Sequence, residues 1–449
     1  MDTIAAIATA AAPSAVGILR ISGEDAFRVL DRIFAPASGK PMSARGARRM
    51  IYGALRDAEG RVIDRALAVR FDAERSYTGE SSAEVHCHGS PVVLNEALAS
   101  AFAAGARQAK PGEFTKRAFL NGRMDLTEAE AVADLIDAES AEAARNAAGQ
   151  VDGALRRLAE DAYDKLLDIA SRFYAVVDYP DEDIEDASPA ETEAARGTVE
   201  TALAGLLATY ARGRVLKNGV ATAIIGAPNA GQSSLLNRLL GDDRAIVTDR
   251  AGTTRDTVEE KALVGGVLLR LIDTAGLRET DDAVEKLGVE RSRRALEQAD
   301  LILALVDGSR ARSVEDDAAL ALAAASGKPW LTLRTKRDLG GENGGAREDI
   351  AVSSVTGEGL DELEAAVAKL FPVPPPQSGT LLTNARQADA VARSLASVRA
   401  ALGALRGGMT PDVVLTEAEA ASNALGELTG RTAREDMVSR IFERFCVGK

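Results

Sequence analysis

The feature that most restricts this chain is a short apolar run that turns on glycine into a helix. Val220 to Ile225 reads as a strand, Gly226-Ala-Pro-Asn-Ala-Gly-Gln-Ser233 as a Gly-rich turn, and SSLLNRLL from Ser233 as a helix. A phosphate loop needs that order, because glycines let backbone N–H groups turn inward and the helix N-terminus adds positive potential. Four further runs (Leu268 to Ile272, Leu301 to Val306, Trp330 to Leu333, Ile350 to Val352) are short, apolar on both sides and separated by helical or loop text. They predict buried, mainly parallel strands of a doubly wound α/β sheet.

Helical text flanks this unit on both sides, as expected of an insertion. Before it, Leu126 to about Arg212 has few breakers, and Val132, Leu135 and Ile136 fall at i, i+3 and i+4. After it comes the Pro-rich linker Phe371 to Gly379, then amphipathic helix over Leu381 to Arg406 and Thr416 to Phe445. At the other end, strand-like runs (Val16 to Ile21, Ala66 to Phe71, Ala83 to Val85) mix with short Ala-rich helices as in an α+β domain. The expected organisation is an α+β domain at 1–118, helical text at 119–215, an inserted α/β domain at 216–375, and a return to helix at 376–449. A chain of 449 residues is too long for one ordinary core, which agrees.

Composition narrows the function classes. Apolar residues at 46% and charged residues at 27% place the chain among globular proteins, and no apolar run is long enough to span a bilayer. The opening residues lack the basic region and cleavage pattern of a signal peptide, so the cytoplasm is the expected compartment and no membrane contact is expected. A formal charge of −14 argues against a broad nonspecific nucleic-acid coat and leaves RNA to local patches such as Arg45, Arg48 and Arg49, a trio that alone reads as a solvated loop. Cys87 and Cys446 have no metal-ligand spacing; His86 and His88 flank Cys87, where a locally packed strand is the better reading than a metal site. The acidic stretch Asp178 to Asp186 reads as a solvated turn and helix start.

The phosphate loop lacks its usual lysine, since Gln232 stands there. Taken alone, a plain strand–turn–helix competes with a phosphate site. The elements that follow, in order, favour the site. The loop from Asn229 through Ala230, Gly231, Gln232, Ser233 and Ser234 is the expected phosphate cradle, with Ser233 and Thr254 as Mg²⁺ hydroxyl ligands. Asp273-Thr-Ala-Gly276 closes the strand Leu268 to Ile272, where Asp273 meets the metal shell and the Gly276 amide senses a γ-phosphate. Thr335-Lys336-Arg337-Asp338 follows a later strand, where Asp338 accepts from guanine N1 and N2; Ser353 and Ser354 place backbone amides near O6. Thr335 stands where such elements carry Asn, and Ser354-Val355 replaces the usual end of the last loop. Losing a charge-assisted phosphate contact costs on the order of 1.5–3 kcal/mol, roughly 10- to 150-fold in binding.

Together with Asp2-Thr-Ile, Val16 to Gly23, Pro111-Gly-Glu-Phe114 and Cys446-Val-Gly-Lys449, this series resembles the tRNA modification GTPases of the MnmE (TrmE) family over essentially the whole chain. The resemblance implies an N-terminal folate-binding and dimerising domain, a helical domain and an inserted GTPase domain. It implies GTP hydrolysis activated by K⁺, with Asn229, Thr248, Arg250 and Thr253 as the potassium and nucleotide contacts and Glu285 orienting the attacking water. Without the resemblance Glu285 reads as a surface helix residue. Arg20, Glu84, Arg123 and Lys449 match contacts to a 5-formyl-tetrahydrofolate-like ligand, and each taken singly reads as a surface salt-bridge former. Cys446 matches the family's functional thiol, with a buried structural thiol as the alternative. The implied partners are a second copy of the chain, tRNA, and the FAD-dependent protein MnmG in a heterotetramer that adds a carboxymethylaminomethyl-type group to the wobble uridine. A hydrolysis-impaired scaffold is the competing reading, motivated by Gln232, Thr335 and Ser354-Val355.

Overall fold

The computed structural model describes residues 2–10, 12–178, 189–241, 260–272, 295–340, 349–372, 379–432, 435–443 and 445–448. Thr248, Arg250, Thr253, Thr254, Asp273, Gly276, Glu285 and Lys449 lie outside these residues, as does most of the acidic stretch after Asp178. The chain forms two compact units, one of residues 1–133, 150–200 and 393–449 and one of residues 134–149 and 201–392.

The first unit is built on strands β1 (Ile4–Ile7), β2 (Ser14–Ser22), β3 (Phe34–Pro36), β4 (Ile51–Arg56), β5 (Val62–Phe71), β6 (Ser82–Gly89) and β7 (Arg107–Gln108). They form one sheet in the order β3-β4-β5-β6-β2-β1-β7, antiparallel except for the β1–β7 edge. Alternation decides the faces. Along β6, Ala83, Val85 and Cys87 turn into the core while Glu84, His86 and His88 turn away. The helices Ala26–Ile33 and Pro91–Ala103 cover the inner face, packing Val29, Leu30, Leu94 and Ala97 against Leu19, Ile21 and Val85. Each fully buried leucine or isoleucine contributes roughly 1.5–3 kcal/mol.

The helical spacing of Val132, Leu135 and Ile136 is met by a helix at Leu126–Ile136. Leu135 and Ile136 are 39% and 45% exposed, whereas the buried side is the first half, Leu126 to Ala131. A cap explains why that half is anchored. Asp125 accepts from the Glu128 amide, and Glu128 reaches back to the Asp125 amide, each at 2.8 Å.

In the second unit, β8 (Val220–Gly226), β9 (Glu260–Val264), β10 (Val267–Leu271), β11 (Leu301–Asp307), β12 (Trp330–Thr335) and β13 (Ile350–Ala351) make a sheet of order β13-β12-β11-β8-β10-β9. All pairings are parallel except the β9–β10 hairpin, which turns on Gly265 and Gly266, both at positive φ. β9 was not legible as a strand in the sequence; the other strands of this sheet were. β8 and β11 are buried on both faces, hence their unbroken apolar text. β8 lies between β10 and β11, so the direction of winding reverses there, at the carboxyl ends where open α/β sheets hold their ligands. Among the described residues no helix is long and apolar enough to cross a membrane.

Candidate functional site

Every described nucleotide-site residue of the second unit sits at the carboxyl edge of its sheet. The loop after β8 folds back on itself. Asn229 (φ +64°) and Gly231 (φ +92°) are left-handed, and the helix Gln232–Leu239 starts immediately afterwards. A left-handed turn running into a helix points successive amides to one side, the geometry of an anion nest. Gly226 cannot carry a side chain, since a Cβ there would lie 2.8 Å from the Leu305 carbonyl oxygen. Ala230 is buried, while Asn229, Ser233 and Ser234 are exposed at the mouth. The Gln232 side chain has a definite place, its Nε2 donating to the Gly226 carbonyl at 3.0 Å. Its amide thus closes the loop and carries no charge.

Two strands away, Thr335 ends β12 almost fully buried, its Oγ1 2.6 Å from the Ala230 carbonyl and 3.3 Å from that of Val306. Lys336 follows in the left-handed region (φ +59°), and its Nζ lies 2.7 Å from Oδ2 of Asp307 at the end of β11. Burial raises the Asp307 carboxyl, but bonds from Lys336 and Ser309 outweigh it and hold the group below the usual carboxylate range. Asp338 is exposed, with Oδ1 accepting from the Ser353 hydroxyl at 2.6 Å. The expected guanine-reading carboxylate is therefore oriented by the loop expected to meet guanine O6. One expectation needs correcting. The Ser353 amide already donates to Glu358 O at 2.9 Å, because Ser353 to Gly359 is a tight turn, so any O6 contact falls to the amides that follow. Sequence reading missed Asp307, which lies far from Lys336 in the chain and is brought opposite it only by the β11–β12 pairing.

In the first unit, Arg20 and Glu84 are cross-strand partners on the outward face, with Nε to Oε1 at 3.0 Å. Glu84 Oε2 also meets His86 Nε2 at 3.2 Å. The rings of Tyr77 and Phe114 each lie 5.7 Å from the Arg20 guanidinium carbon. His88 instead pairs with Asp64 at 2.9 Å, so the two histidines serve different carboxylates and the packed-strand reading of His-Cys-His stands. Burial pushes the Cys87 thiol up to about 11, which makes it inert at neutral pH. Arg123 is exposed and donates to Glu74 O at 3.2 Å; a Cβ on Gly79 would lie 3.2 Å from its Cγ, and Tyr77 of the same loop meets Arg20.

Segment 445–448 also reaches this face. Cys446 O accepts from the Gly112 amide at 3.3 Å, and Gly448 O from Arg20 at 3.4 Å. Gly112 of Pro-Gly-Glu-Phe is at φ +64°, and a Cβ there would lie 2.6 Å from Phe442 O and 2.9 Å from Phe445 Cβ, so the motif is shaped to seat both the helix end and this segment. Cys446 is exposed, which disposes of the buried-thiol alternative.

Beneath this face, buried Arg117 meets Glu80 at 2.9 Å, Asp2 at 2.7 Å and Glu113 at 3.1 Å. Burial raises the Glu113 carboxyl, but bonds from Arg107, the Lys110 amide and Arg117 prevail and bring it to about 2, against an ordinary 4.5. A carboxyl lowered on folding stabilises the fold above its unfolded value and loses that contribution as pH falls through the folded one. Thermal melting should therefore drop more steeply for the wild type than for Glu113→Gln between about pH 5 and pH 2.5; parallel profiles would remove Glu113 from the account.

These features define a phosphate-loop nucleotide-binding protein with a mainly parallel α/β domain, preceded by an α+β domain and set within helical sequence. A family model described as the MnmE helical domain matches residues 126–446, and one described as the GTP-binding protein TrmE N-terminus matches residues 3–123. The tRNA modification GTPase MnmE of Roseiflexus sp. (strain RS-1) is 44% identical over 467 residues, covering 100% of this chain and 99% of that protein. The MnmE of Lactobacillus delbrueckii subsp. bulgaricus is 42% identical over 458 residues (100% and 98%), and that of Symbiobacterium thermophilum 41% over 459 residues (100% and 99%). The chain belongs to the MnmE family of tRNA modification GTPases.

Proposed function

We propose that the chain binds GTP at the carboxyl ends of β8, β11 and β12, hydrolyses it, and uses the cycle in modifying tRNA. Family membership supports the reaction class. The observation that carries the site is the left-handed loop Asn229–Gly231 at the sheet's switch point, with Asp338 held by Ser353 at the base end. In this reading the amides from Gly231 to Ser234 grip the phosphates, the Ala230 amide being held by Ala227 O at 3.1 Å; Asp338 accepts from guanine N1 and N2, and Lys336, fixed by Asp307, lies against the base. The exposed Ser233 hydroxyl on the first helical turn suits Mg²⁺, and exposed Asn229 suits K⁺. When bound, these cations neutralise charge between the β- and γ-phosphates. Thr254, Asp273 and Gly276 complete the magnesium and γ-phosphate contacts, Thr248, Arg250 and Thr253 the potassium contacts, and Glu285 orients water.

The outward face of the N-terminal sheet is the proposed folate site. Arg20 and Lys449 suit the glutamate tail, Glu84 the pterin N–H groups, and Arg123 lies at the loop carrying Tyr77. The stacked charge and rings around Arg20 fit a flat, polar-edged ligand. Arg20→Ala should weaken 5-formyl-tetrahydrofolate binding by at least about fivefold in a calorimetric titration, as loss of a charged hydrogen bond requires. Unchanged affinity would discredit the assignment. The proposed assembly is a homodimer joined by the FAD-dependent MnmG, adding a carboxymethylaminomethyl-type group to the wobble uridine, with exposed Cys446 near the reaction and the cytoplasm as the compartment.

A second reading rests on Gln232, whose amide is turned to Gly226 O and offers the phosphates no charge. It makes the chain a hydrolysis-impaired nucleotide and folate scaffold of the same complex. GTP turnover in KCl and NaCl separates the two.

A further inference from the structure

We infer that the loop joining β3 to β4, residues 37–50, is a contact surface for the phosphate backbone of RNA; this rests on the proposed role in tRNA modification. From Arg32 to Arg56 the chain carries six cations (Arg32, Lys40, Arg45, Arg48, Arg49 and Arg56) and no carboxylate, in a protein whose formal charge is −14. The loop is also firmly built. Across its neck the Ala37 amide donates to Tyr52 O at 3.0 Å, and the Met42 and Ser43 amides donate to Asp31 at 2.6 and 3.2 Å. Arg70 of β5 braces it, with Nη1 donating to Ser43 O at 3.0 Å and its carbonyl accepting from the Arg48 amide at 2.8 Å. These bonds gather the charge. Arg45 Nε reaches Lys40 O at 3.0 Å, its guanidinium also meets the Ser38 hydroxyl, and Arg49 Nε lies 3.9 Å from where a Cβ on Gly46 would stand.

The gathered charge has no answer within the fold. Elsewhere in the first unit Arg28, Arg61, Arg107 and Arg117 each hold a carboxylate. Among the described residues Lys40, Arg45, Arg48 and Arg49 form no ion pair, while Asp31 is taken by the loop amides and Asp72 by Arg70 at 3.5 Å. Lys40, Arg48 and Arg49 are exposed beside the edge strand β3, so three free cations face solvent at one rim of the sheet. Arg45, engaged with Ser38 and Lys40 O, shapes the loop. A backbone of successive phosphates fits such a rim better than a compact anion, because each neutralised phosphate releases counterions. Tyr52, 55% exposed where the loop ends, offers a ring on which a base can stack. β4 lies three strands from β2, about 14 Å at the usual strand spacing, so RNA held here shares its sheet with the proposed folate contacts.

The test measures binding of an unmodified tRNA transcript to the full chain, alone and with the FAD-dependent partner, by fluorescence anisotropy between about 50 and 200 mM KCl. The triple variant Lys40→Gln, Arg48→Asn, Arg49→Gln removes three charges, and asparagine tolerates the left-handed backbone of position 48 (φ +60°). It should weaken tRNA binding roughly 10-fold or more at the low-salt end and lower the slope of log K against log salt by about 2 to 3. The exchange Lys40→Arg, Arg48→Lys, Arg49→Lys should bind within about twofold of the wild type, since point charges suffice. GTP turnover and thermal melting should be unchanged in both variants. Unchanged tRNA affinity and salt slope in the first variant would overturn the inference. So would a first variant that keeps tRNA and loses the partner protein, which would make the loop a protein-docking surface. A wild type with no measurable affinity for tRNA, alone or with the partner, would remove the tRNA reading itself and the inference with it.

Discussion

Replacing Gln232 by lysine is expected to tighten GTP binding by roughly 10-fold or more and to raise turnover further, with the gain larger in KCl than in NaCl. The present amide donates to Gly226 O and leaves the loop closed but uncharged. Lysine can make the same bond and adds a cation where the β- and γ-phosphates gather charge. Its effect on turnover exceeds that on binding because the transition state redistributes γ-phosphoryl charge. Measured turnover has three informative outcomes. No turnover by the wild type in either salt, with rescue by lysine, identifies an active-site lesion on a competent enzyme. Vigorous potassium-stimulated turnover by the wild type shows that the loop amides and cations suffice without the lysine. No turnover even in Gln232→Lys establishes the scaffold reading.

Asp338→Asn is expected to lower GTP affinity by about 100-fold and to make xanthosine triphosphate the better ligand. The carboxylate offers charged acceptors to N1–H and the N2 amino group, and two charge-assisted bonds are worth roughly 3–6 kcal/mol together. Ser353 donates to Oδ1 at 2.6 Å and so fixes which side of a substituted amide carries its oxygen. Nδ2 of the asparagine then faces the base, opposes the guanine amino group and suits the xanthine C2 carbonyl. Equal GTP affinity of the variant and the wild type would show that Asp338 does not read the base.

Both predictions depend on residues that could be found without coordinates. A phosphate loop is written in one stretch of chain, because strand, turn and helix are local and each has its own period and breakers. Val220 to Leu240 therefore declared itself, and so did the buried strands, whose apolar text follows from burial on both faces. The same locality explains the failures. β9 carries the polar Glu260 and Lys261 as an edge strand and was silent, and the spacing at Leu135 and Ile136 announced the helix found there without saying whether they are buried. Spacing states which residues share a face; it does not state what covers that face.

Partners far apart in the chain belong to the tertiary structure alone. Thr335 donates to Ala230, Asp307 holds Lys336, and Arg117 draws in Asp2 and Glu80 from two distant segments. Gly112 seats residues 445–448 beside Arg20. Residue type fixes which groups can donate, accept or carry charge, so the chemistry of each candidate was readable one position at a time. Which donor meets which acceptor depends on the sheet order and on the packing that sets it. Only the fold could therefore bring the Thr335 hydroxyl to the Ala230 carbonyl.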